Sequence, residues 1–370
     1  MNKKKVLHIS TYYYPSLGGI EQVAQDTVNA LGEDFEQKVI CFSTNGQDSY
    51  ENYDGHQVVK VGTKLKVRSQ AISLRYFFHL YKLISRDQFN FIHFHAPNPL
   101  ISLYLLACLH LNRYNGQLFV HWHSDIIEQK FLRRLYLPIQ NLLLKRADAI
   151  IVTSDPAKIS IELAKFDKKV VVIANSYNEK KMEMNADESH EALKLRAKYS
   201  EKLIFFIGRH VKYKGIHHLI AAAALRPDLH FVIAGKGPLT EQLKKSVNSA
   251  NVEFIGSITD SQMRIYMAAS SAFVLPSVSR NEAFGVVLAE ANSVGTPTAV
   301  FRIEGSGVPW VVEQGITGYI CDTFCPQKLA ETIEKAAQLK ADALSIQKRA
   351  QQRFSHSQVF VPAIQKLYQI

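Results

Sequence analysis

Residues 272–291, AFVLPSVSRNEAFGVVLAEA, contain the pattern that recurs along this chain. The apolar run Ala272–Leu275 predicts a buried strand, a polar loop follows, and Phe284–Ala291 predicts a helix. Glu282 lies just before that helix, and Glu290 lies about two turns further on. Acidic residues of a helix normally occupy a polar, solvated face, whereas these two have mainly apolar or small neighbours. We therefore expect a polar ligand from outside the domain to contact both carboxylates.

Short apolar runs alternate with helical patterns through the whole sequence. In the first half these runs are Val6–Ser10, Val39–Ser43, Val58–Val61, Phe91–His95, Leu118–His123, Ala149–Thr153 and Val170–Ala174. In the second half they are Leu203–Gly208, His230–Gly235, Val252–Gly256, Ala272–Pro276, Pro297–Phe301 and Gly318–Cys321. Continuous apolar runs are typical of strands buried on both faces, and their alternation with helices predicts parallel sheets. The fold class is therefore α/β.

A polar segment, residues 175–201, separates the two series of strands and predicts a linker with a connecting helix, Glu188–Tyr199. Because 370 residues exceed what one hydrophobic core usually organises, two domains are expected. We place them at 1–178 and 179–352, each a doubly wound Rossmann-like domain, and expect 353–370 to form a helix that returns to the first domain. Ligands of such sheets bind beyond the carboxyl ends of the strands, so the two domains are expected to face each other across a cleft.

Composition narrows the class of protein further. Hydrophobic residues make up 47% and charged residues 21%, which is ordinary for a globular chain. The cysteines do not form a zinc pattern, and we interpret them as reduced thiols of a cytoplasmic protein: Cys41, Cys108, Cys321 and Cys325. The first apolar run is interrupted by His8, Ser10 and Thr11, so it is too short and too polar for a signal peptide or a membrane span.

The formal net charge is +11, and part of it is concentrated in the first domain. Between Lys60 and Arg86 there are seven basic residues, no acidic one, and many interleaved aromatic and aliphatic residues. Residues 131–137, FLRRLYL, repeat this pattern. Basic residues beside apolar ones favour an anionic membrane surface as a partner. A solvated basic helix face is the main alternative, and nucleic acid is the least favoured one.

Glycines and cations follow several of the predicted strands. Gly208-Arg209 ends one strand, and Lys214-Gly215 opens the next helix. Two cations near a strand end and a helix N-terminus are suited to a diphosphate. Gly18-Gly19 and Gly235-Lys236 occupy similar positions, where glycine serves either close ligand approach or turn geometry alone.

Four histidines lie on two predicted strands of the first domain. His93 shares a face with His95, and His121 shares one with His123, because strand side chains alternate. We favour contact of His95 and His123 with a sugar or an acceptor over a metal site. The sequence contains no Asp-x-Asp pair, which argues against a sugar transferase that needs a divalent metal.

Taken in order, these motifs resemble those of glycosyltransferase family 4, which has the two-domain GT-B fold. The resemblance also rests on Phe254-Ile255-Gly256, Gly315-Ile316-Thr317-Gly318 and the spacing of Glu282 and Glu290. It implies a retaining, metal-independent transfer of a hexosyl group from a nucleotide-diphosphate sugar, without a cofactor. The first domain would bind the acceptor, and the second would bind the nucleotide sugar.

The resemblance also implies roles for individual residues. It assigns Arg209 and Lys214 to the diphosphate, Glu282 to the transferred sugar, Glu290 to the ribose and His123 to the reacting centre. The donor-binding set is Gly18, Gly19, Gly208, Arg209, Lys214, Gly235, Lys236, Ile255, Glu282, Ala283, Phe284, Gly285 and Glu290. The catalytic set is His123, Arg209, Lys214 and Glu282, and acceptor contacts fall to His95, Ser124 and Asp125.

Two stretches, HWHSDII at 121–127 and GSGVPWV at 305–311, are similar to bacterial mannosyl- and rhamnosyltransferases of polysaccharide assembly. We therefore expect a cytoplasmic enzyme, peripheral at the inner face of the cell membrane, that extends a lipid-linked glycan with a mannose-like sugar. Many family members have Pro-Glu where this chain has Pro309-Trp310, so the role of that Glu does not carry over. A sugar-nucleotide epimerase and a non-catalytic membrane-binding module are the alternatives. The donor base, whether that of GDP, UDP, dTDP or ADP, and the oligomeric state stay open.

Overall fold

The computed structural model describes residues 3–16, 18–63, 65–67, 70–123, 130–155 and 163–369. They form two compact units. The first contains the described residues up to Thr153, residues 163–173 and the stretch from Val361. The second contains Ser154, Asp155 and Ala174–Phe360.

The first unit is built on an eight-stranded sheet with the strand order β10-β9-β8-β7-β1-β2-β4-β3. Its strands are β1 (Lys4–Ile9), β2 (Phe35–Phe42), β3 (Ser49–Tyr53), β4 (His56–Val61), β7 (Phe91–Ala96), β8 (Gln117–Trp122), β9 (Ala149–Val152) and β10 (Val170–Val172). A separate hairpin consists of β5 (Leu65–Val67) and β6 (Gln70–Ile72). Four helices of this unit precede the boundary at Thr153: α1 (Gly19–Leu31), α2 (Leu74–Asp87), α3 (Pro99–Leu111) and α4 (Lys130–Arg146).

The sheet of the first unit is parallel except at one edge, which the sequence did not predict. β3 pairs antiparallel with β4, and Tyr53 faces His56 across the turn. Asp54 and Gly55, between them, both have positive φ, 44° and 85°. Asp-Gly is the typical sequence of a two-residue hairpin turn, so a local signal for this hairpin was present. β3 itself is half exposed and short of apolar residues, which is why the search for buried runs missed it.

The second unit has a six-stranded, wholly parallel sheet with the order β13-β12-β11-β14-β15-β16. Its strands are β11 (Leu203–Ile207), β12 (His230–Ala234), β13 (Val252–Gly256), β14 (Ala272–Leu275), β15 (Thr298–Phe301) and β16 (Gly318–Cys321). Its helices are α5 (Glu179–Met182), α6 (Ala186–Lys198), α7 (Ile216–Ala224), α8 (Thr240–Lys245), α9 (Asp260–Ala269), α10 (Val286–Ser293), α11 (Val308–Val311), α12 (Pro326–Gln338) and α13 (Ala343–Phe354). Every strand predicted from the sequence overlaps an observed one.

The segment expected to be a linker belongs to the second unit. The predicted connecting helix is α6, and Asn185 caps it by accepting a hydrogen bond from the backbone N–H of Glu188 at 2.8 Å. The Glu188 carboxylate pairs with Arg264 of α9 at 2.5 Å. Arginine and carboxylate groups that are largely buried hold their elements together only when they stay paired, so α6 is fastened to the second sheet rather than free between domains.

The last helix, α14 (Val361–Tyr368), belongs to the first unit. Gln365 donates a hydrogen bond to the carbonyl of Ala30 at the end of α1, at 3.0 Å. The expected return of the chain end therefore involves α14, whereas α13, which ends at Phe354, stays with the second unit. None of the described helices combines the length and the hydrophobicity that crossing a membrane requires.

Candidate active site

In the second unit, predicted donor residues follow the carboxyl ends of adjacent parallel strands. Gly208 and Arg209 come directly after β11, and Gly235 and Lys236 come after its neighbour β12. A Cβ atom on Gly235, whose φ is 106°, would overlap the carbonyl oxygen of Gly208. Glycine is therefore required there by the contact between backbones. The Arg209 and Lys236 side chains are exposed, and so they can reach a ligand at this edge of the sheet.

The structure brings Lys214 and Glu282, 68 residues apart, into one ion pair. The Lys214 ammonium lies 2.5 Å from the Glu282 carboxylate, and both side chains are only 12–13% exposed. Ser277, two residues beyond the end of the buried strand β14, donates a second hydrogen bond to the same carboxylate at 3.0 Å. A charge in a partly desolvated place is stabilised by its counter-ion and by hydrogen bonds, and this site supplies both. The two residues that the resemblance assigned to different parts of a donor are thus neighbours.

Helix α10 starts later than the sequence predicted, at Val286 instead of Phe284. Gly285 has a left-handed backbone conformation, with φ 78°, so the helix cannot extend back through it toward Phe284. Residues 283–285 therefore belong to the loop. This loop is tied down because Ala283 accepts a hydrogen bond from the backbone N–H of Gly307 at 2.7 Å. Phe284 is 2% exposed and its ring contacts Trp310, so its side chain is a core residue.

Glu290 also has a partner that the sequence did not indicate. The Lys181 ammonium, on the short helix α5, lies 3.2 Å from the Glu290 carboxylate and 3.5 Å from that of Asp260. Burial alone would lower the pKa of Lys181, but the carboxylates of Glu290 and Asp260 outweigh it and hold that pKa above its usual value. Lys181 is therefore a cation at neutral pH and neutralises Glu290. Nothing in the local sequence distinguishes it from the exposed Lys180.

In the first unit, His95 and His123 form the predicted histidine pair. His95 Nδ1 lies 3.0 Å from His123 Nε2, and the rings stack at 5.3 Å. Burial lowers the pKa of His123 to about 3. Burial, together with the neighbouring His93 and His121, lowers the pKa of His95 well below its ordinary value. Both imidazoles are therefore neutral at pH 7. Ser124 and Asp125, the other expected acceptor residues, lie outside the described residues.

His93, His95 and His121 each place one nitrogen within 4.8 Å of the other two. Within the described part of the chain, this group includes no carboxylate or thiolate. Zinc and related ions are bound by three histidines in some proteins, but their histidines are normally oriented by carboxylates or backbone carbonyls. The metal-free reading stays a prediction.

Gly18 and Gly19 lie at the start of α1. Gly18 is the N-cap residue, in an extended conformation, and Gly19 has open space where a side chain would begin. The Glu21 carboxylate lies against Gly18, and burial raises the pKa of that carboxyl group. Ile255, near the end of β13, is half-buried. The roles of Gly18, Gly19 and Ile255 in donor binding stay a prediction.

Comparison with known proteins defines the class. A family model described as "Glycosyltransferase Family 4" matches residues 17–181, and one described as "Glycosyl transferases group 1" matches residues 187–353. The chain is 29% identical over 338 residues to O-antigen chain mannosyltransferase C of Escherichia coli, covering 90% of this chain and 88% of the relative. It is also 29% identical over 322 residues to D-rhamnosyltransferase WbpZ of Pseudomonas aeruginosa, covering 85% and 82%.

Solved structures agree on the fold. HepE of Anabaena in complex with UDP-glucose superposes with a TM-score of 0.74 at 19% identity, covering 99% of this chain and all of that one. Sucrose-phosphate synthase from Thermosynechococcus elongatus gives 0.75 at 21%, covering 99% and 98%. The protein is therefore a hexosyltransferase with the GT-B fold. Its two halves match the models of family 4 and of group 1 glycosyl transferases, which together span most of the chain.

Proposed function

We propose that this enzyme transfers a mannose-like hexosyl group from a nucleotide-diphosphate sugar to a lipid-linked glycan during cell-surface polysaccharide synthesis. Two relatives are named for mannosyl and rhamnosyl transfer, the first in O-antigen chains, and a structural neighbour holds UDP-glucose. The observation that carries the proposal is the partly buried pair of Lys214 and Glu282 beyond the strand ends of the second unit. A nucleotide-diphosphate sugar has an anionic diphosphate next to a sugar that carries hydroxyl groups. The Lys214 ammonium can bind the diphosphate, and the neighbouring Glu282 carboxylate can accept hydrogen bonds from the sugar.

The proposed role of the cations follows from the charge that develops during transfer. When the bond between the sugar and the diphosphate breaks, the leaving group gains negative charge, and preorganised positive groups lower the barrier. Lys214 is already held in place by Glu282, and Arg209 is exposed at the neighbouring strand end. These two cations would stabilise the diphosphate without a metal ion.

We assign the two carboxylates to the hydroxyl groups of the donor. Glu282, fixed by Lys214 and Ser277, would accept hydrogen bonds from the transferred sugar, and Glu290, fixed by Lys181, would accept them from the ribose. Because Glu282 is engaged with Lys214, it is a poor covalent nucleophile. We therefore favour a retaining transfer in which the departing phosphate takes the proton of the acceptor, over a glycosidase-like covalent intermediate.

We also propose that α2 contacts an anionic membrane surface. Leu74, Phe78 and Tyr81 form one stripe of the helix and are 71%, 66% and 39% exposed. Lys82 and Arg86, also exposed, add positive charge beside that stripe. A basic face that is merely solvated has no need of exposed aromatic residues, whereas a helix lying in a membrane interface does.

Not all of the predicted basic region supports this membrane contact. Arg75 is engaged with Asp48 within the first unit. Lys64 and Arg68 lie outside the described residues, as do the side chains of residues 131–133. The proposed location, at the cytoplasmic face of the membrane, therefore depends on α2 alone.

The test of the proposed function is incubation with GDP-, UDP-, dTDP- and ADP-sugars, with and without a lipid-linked glycan acceptor. Transfer that continues in EDTA is expected with one donor. Lys214→Met and Glu282→Gln should each lower kcat/KM at least a hundredfold, as removal of groups that stabilise transition-state charge usually does. Lys212→Met is the matched control, because Lys212 is exposed in the same turn. A folded protein that binds none of the donors would refute the proposal, and conversion of a donor without an acceptor would indicate an epimerase.

A further inference from the structure

A row of buried histidines lies on one face of the first sheet. His93 and His95 are on β7, His121 is on β8 and His123 follows it; all are 7% exposed or less. The parallel register places His95 directly beside His121. The rings stack or tilt against each other, with centroids 4.4–5.5 Å apart for the neighbouring pairs. A core that needed only apolar packing would not use four imidazoles here, because each one brings two polar nitrogens that require partners.

The hydrogen bonds of this row form a chain with a single gap. The Tyr368 hydroxyl lies 2.7 Å from His93 Nδ1, and His93 Nε2 lies 3.3 Å from His121 Nδ1. At the other end, His95 Nδ1 lies 3.0 Å from His123 Nε2. Two nitrogens of this row have no partner among the described residues, His121 Nε2 and His95 Nε2. They are the two open ends of the chain of hydrogen bonds.

We propose that one water molecule bridges His121 Nε2 and His95 Nε2, and that the completed chain from Tyr368 holds His123 in the tautomer with hydrogen on Nδ1. This inference rests on the proposed function, in which His123 lies at the reacting centre. It makes Tyr368, His93, His121 and His95 positioning residues for that imidazole.

The distances in the row suit a water molecule. Two hydrogen bonds of about 2.9 Å that meet at a tetrahedral angle separate their outer atoms by about 4.7 Å. His93, His95 and His121 each place one nitrogen within 4.8 Å of the other two, so the row is compact enough for a bridging water. Buried waters typically make two to four hydrogen bonds to polar groups that would otherwise have none, and here two imidazole nitrogens supply them.

The direction of the chain follows from Tyr368. Burial raises the pKa of its hydroxyl well above the ordinary value, so it keeps its hydrogen. Within the described part of the chain, its hydrogen-bond partner is His93 Nδ1. If the hydroxyl accepted from that nitrogen, its own hydrogen would be buried without an acceptor among the described residues, so the proposed direction has Tyr368 as the donor. A neutral imidazole has one donor and one acceptor nitrogen, so a ring that accepts a hydrogen bond at one nitrogen donates one from the other. His93 donates to His121, His121 to the water, the water to His95, and His95 to His123 Nε2.

The rings are neutral, as the chain requires. Burial lowers the pKa of His93, His95 and His121 well below the ordinary value, and that of His123 to about 3. His123 Nε2 then accepts from His95, and Nδ1 carries hydrogen. His123 is therefore a hydrogen-bond donor at the reacting centre. The opposite tautomer would leave Nδ1 bare and make the same residue a base.

Nitrogen-15 NMR of the full-length protein, labelled at its histidine side chains, tests this directly. The His123 signals are assigned by their loss in His123→Gln. The proposal expects a protonated Nδ1 and a bare Nε2 in the wild type at pH 7. A protonated Nε2 overturns it, and so does a stoichiometric metal ion that survives dialysis against chelator and is lost in His121→Gln. Neither readout needs activity, so failure of the proposed function would leave this result standing on its own.

Tyr368→Phe removes the hydroxyl that sets the direction of the chain. The His123 signals should then move toward a mixture of both tautomers. Tyr76→Phe is the matched control, because Tyr76 is equally buried in the first unit but donates to the carbonyl of Ile40. If the enzyme is active, Tyr368→Phe should lower kcat about twofold to tenfold with little change in the donor KM, in proportion to the lost tautomer. Unchanged His123 signals in folded Tyr368→Phe overturn the role of Tyr368.

Discussion

The buried histidines make the first unit sensitive to mild acid, and the structure sets the size of the effect. Burial lowers the pKa of His8 and His123 to about 3, and that of His93, His95 and His121 well below the ordinary value. In the unfolded chain a histidine has a pKa of about 6.5. As the pH falls through that value the unfolded chain takes up protons and the folded unit does not. Stability is therefore lost as the pH falls below about 6.5, and it is fully present above.

The size of this loss of stability follows from the difference between the histidine pKa values in the folded and unfolded states. Between pH 8 and pH 6, a histidine that stays neutral only in the folded state lowers the free energy of unfolding by about 0.8 kcal/mol. Five such residues therefore lower it by about 4 kcal/mol, and near pH 6 unfolding takes up about four protons. This is a large part of the 5–15 kcal/mol that is usual for a domain.

Urea unfolding between pH 8 and pH 6 measures this loss. Trp122, on β8, is buried in the first unit and Trp310 lies in the second unit, so Trp310→Phe leaves a fluorescent reporter for the first unit alone. His8→Gln should reduce the pH-dependent loss by about 0.8 kcal/mol, whatever its effect on stability at pH 8. His190→Gln is the control, since His190 is exposed. An unfolding free energy that is the same at pH 6 and pH 8 would refute the reasoning.

Three further predictions concern other parts of the chain. Lys181→Met leaves Glu290 without its cation and should raise the donor KM about threefold to tenfold with kcat nearly unchanged, whereas the exposed Lys180→Met should do neither. Phe78→Ser should lower binding to vesicles of anionic lipid about tenfold, the expected effect of losing one interfacial aromatic ring, and equal sedimentation of variant and wild type would contradict the membrane proposal. Burial lowers the pKa of Lys340 from 10.5 to about 7, so the unfolded chain holds a proton between these pH values that the folded unit has lost. The free energy of unfolding of the second unit should therefore rise by about 3–5 kcal/mol between pH 7 and pH 10.5. Urea unfolding followed by Trp310 fluorescence measures this gain, and Lys340→Met should abolish it.

Much of the fold was predictable because strands buried on both faces leave a clear mark in sequence. β14 is apolar throughout and fully buried, and its limits were predicted to within one residue. β3 was missed because one edge strand that is half exposed need not be apolar. The start of α10 was placed two residues early, since the apolar pattern runs through Gly285 while the backbone there is left-handed.

The site was predictable only as separate residues. Glu282 and Glu290 could be singled out because charge in apolar company is costly unless a ligand or a counter-ion meets it. Lys214 could be singled out because a cation at a helix start near a strand end is suited to a diphosphate. The sequence could not show which charges meet. Lys181 resembles any surface lysine in the printed chain, and its place beside Glu290 exists only because α5 packs near α10 in the folded unit.

By itself, the sequence determined the α/β class, the two series of strands, the edge of the second sheet where the cations lie, and the resemblance to family 4. These depend on local patterns, namely periodicity and the residues that end strands and begin helices. Only the tertiary structure decided the partners: Lys214 with Glu282, Lys181 with Glu290, and Tyr368 with His93, 275 residues apart. The physical reason is that burial and short-range hydrogen bonding depend on distance in space, which the order of residues along the chain does not record.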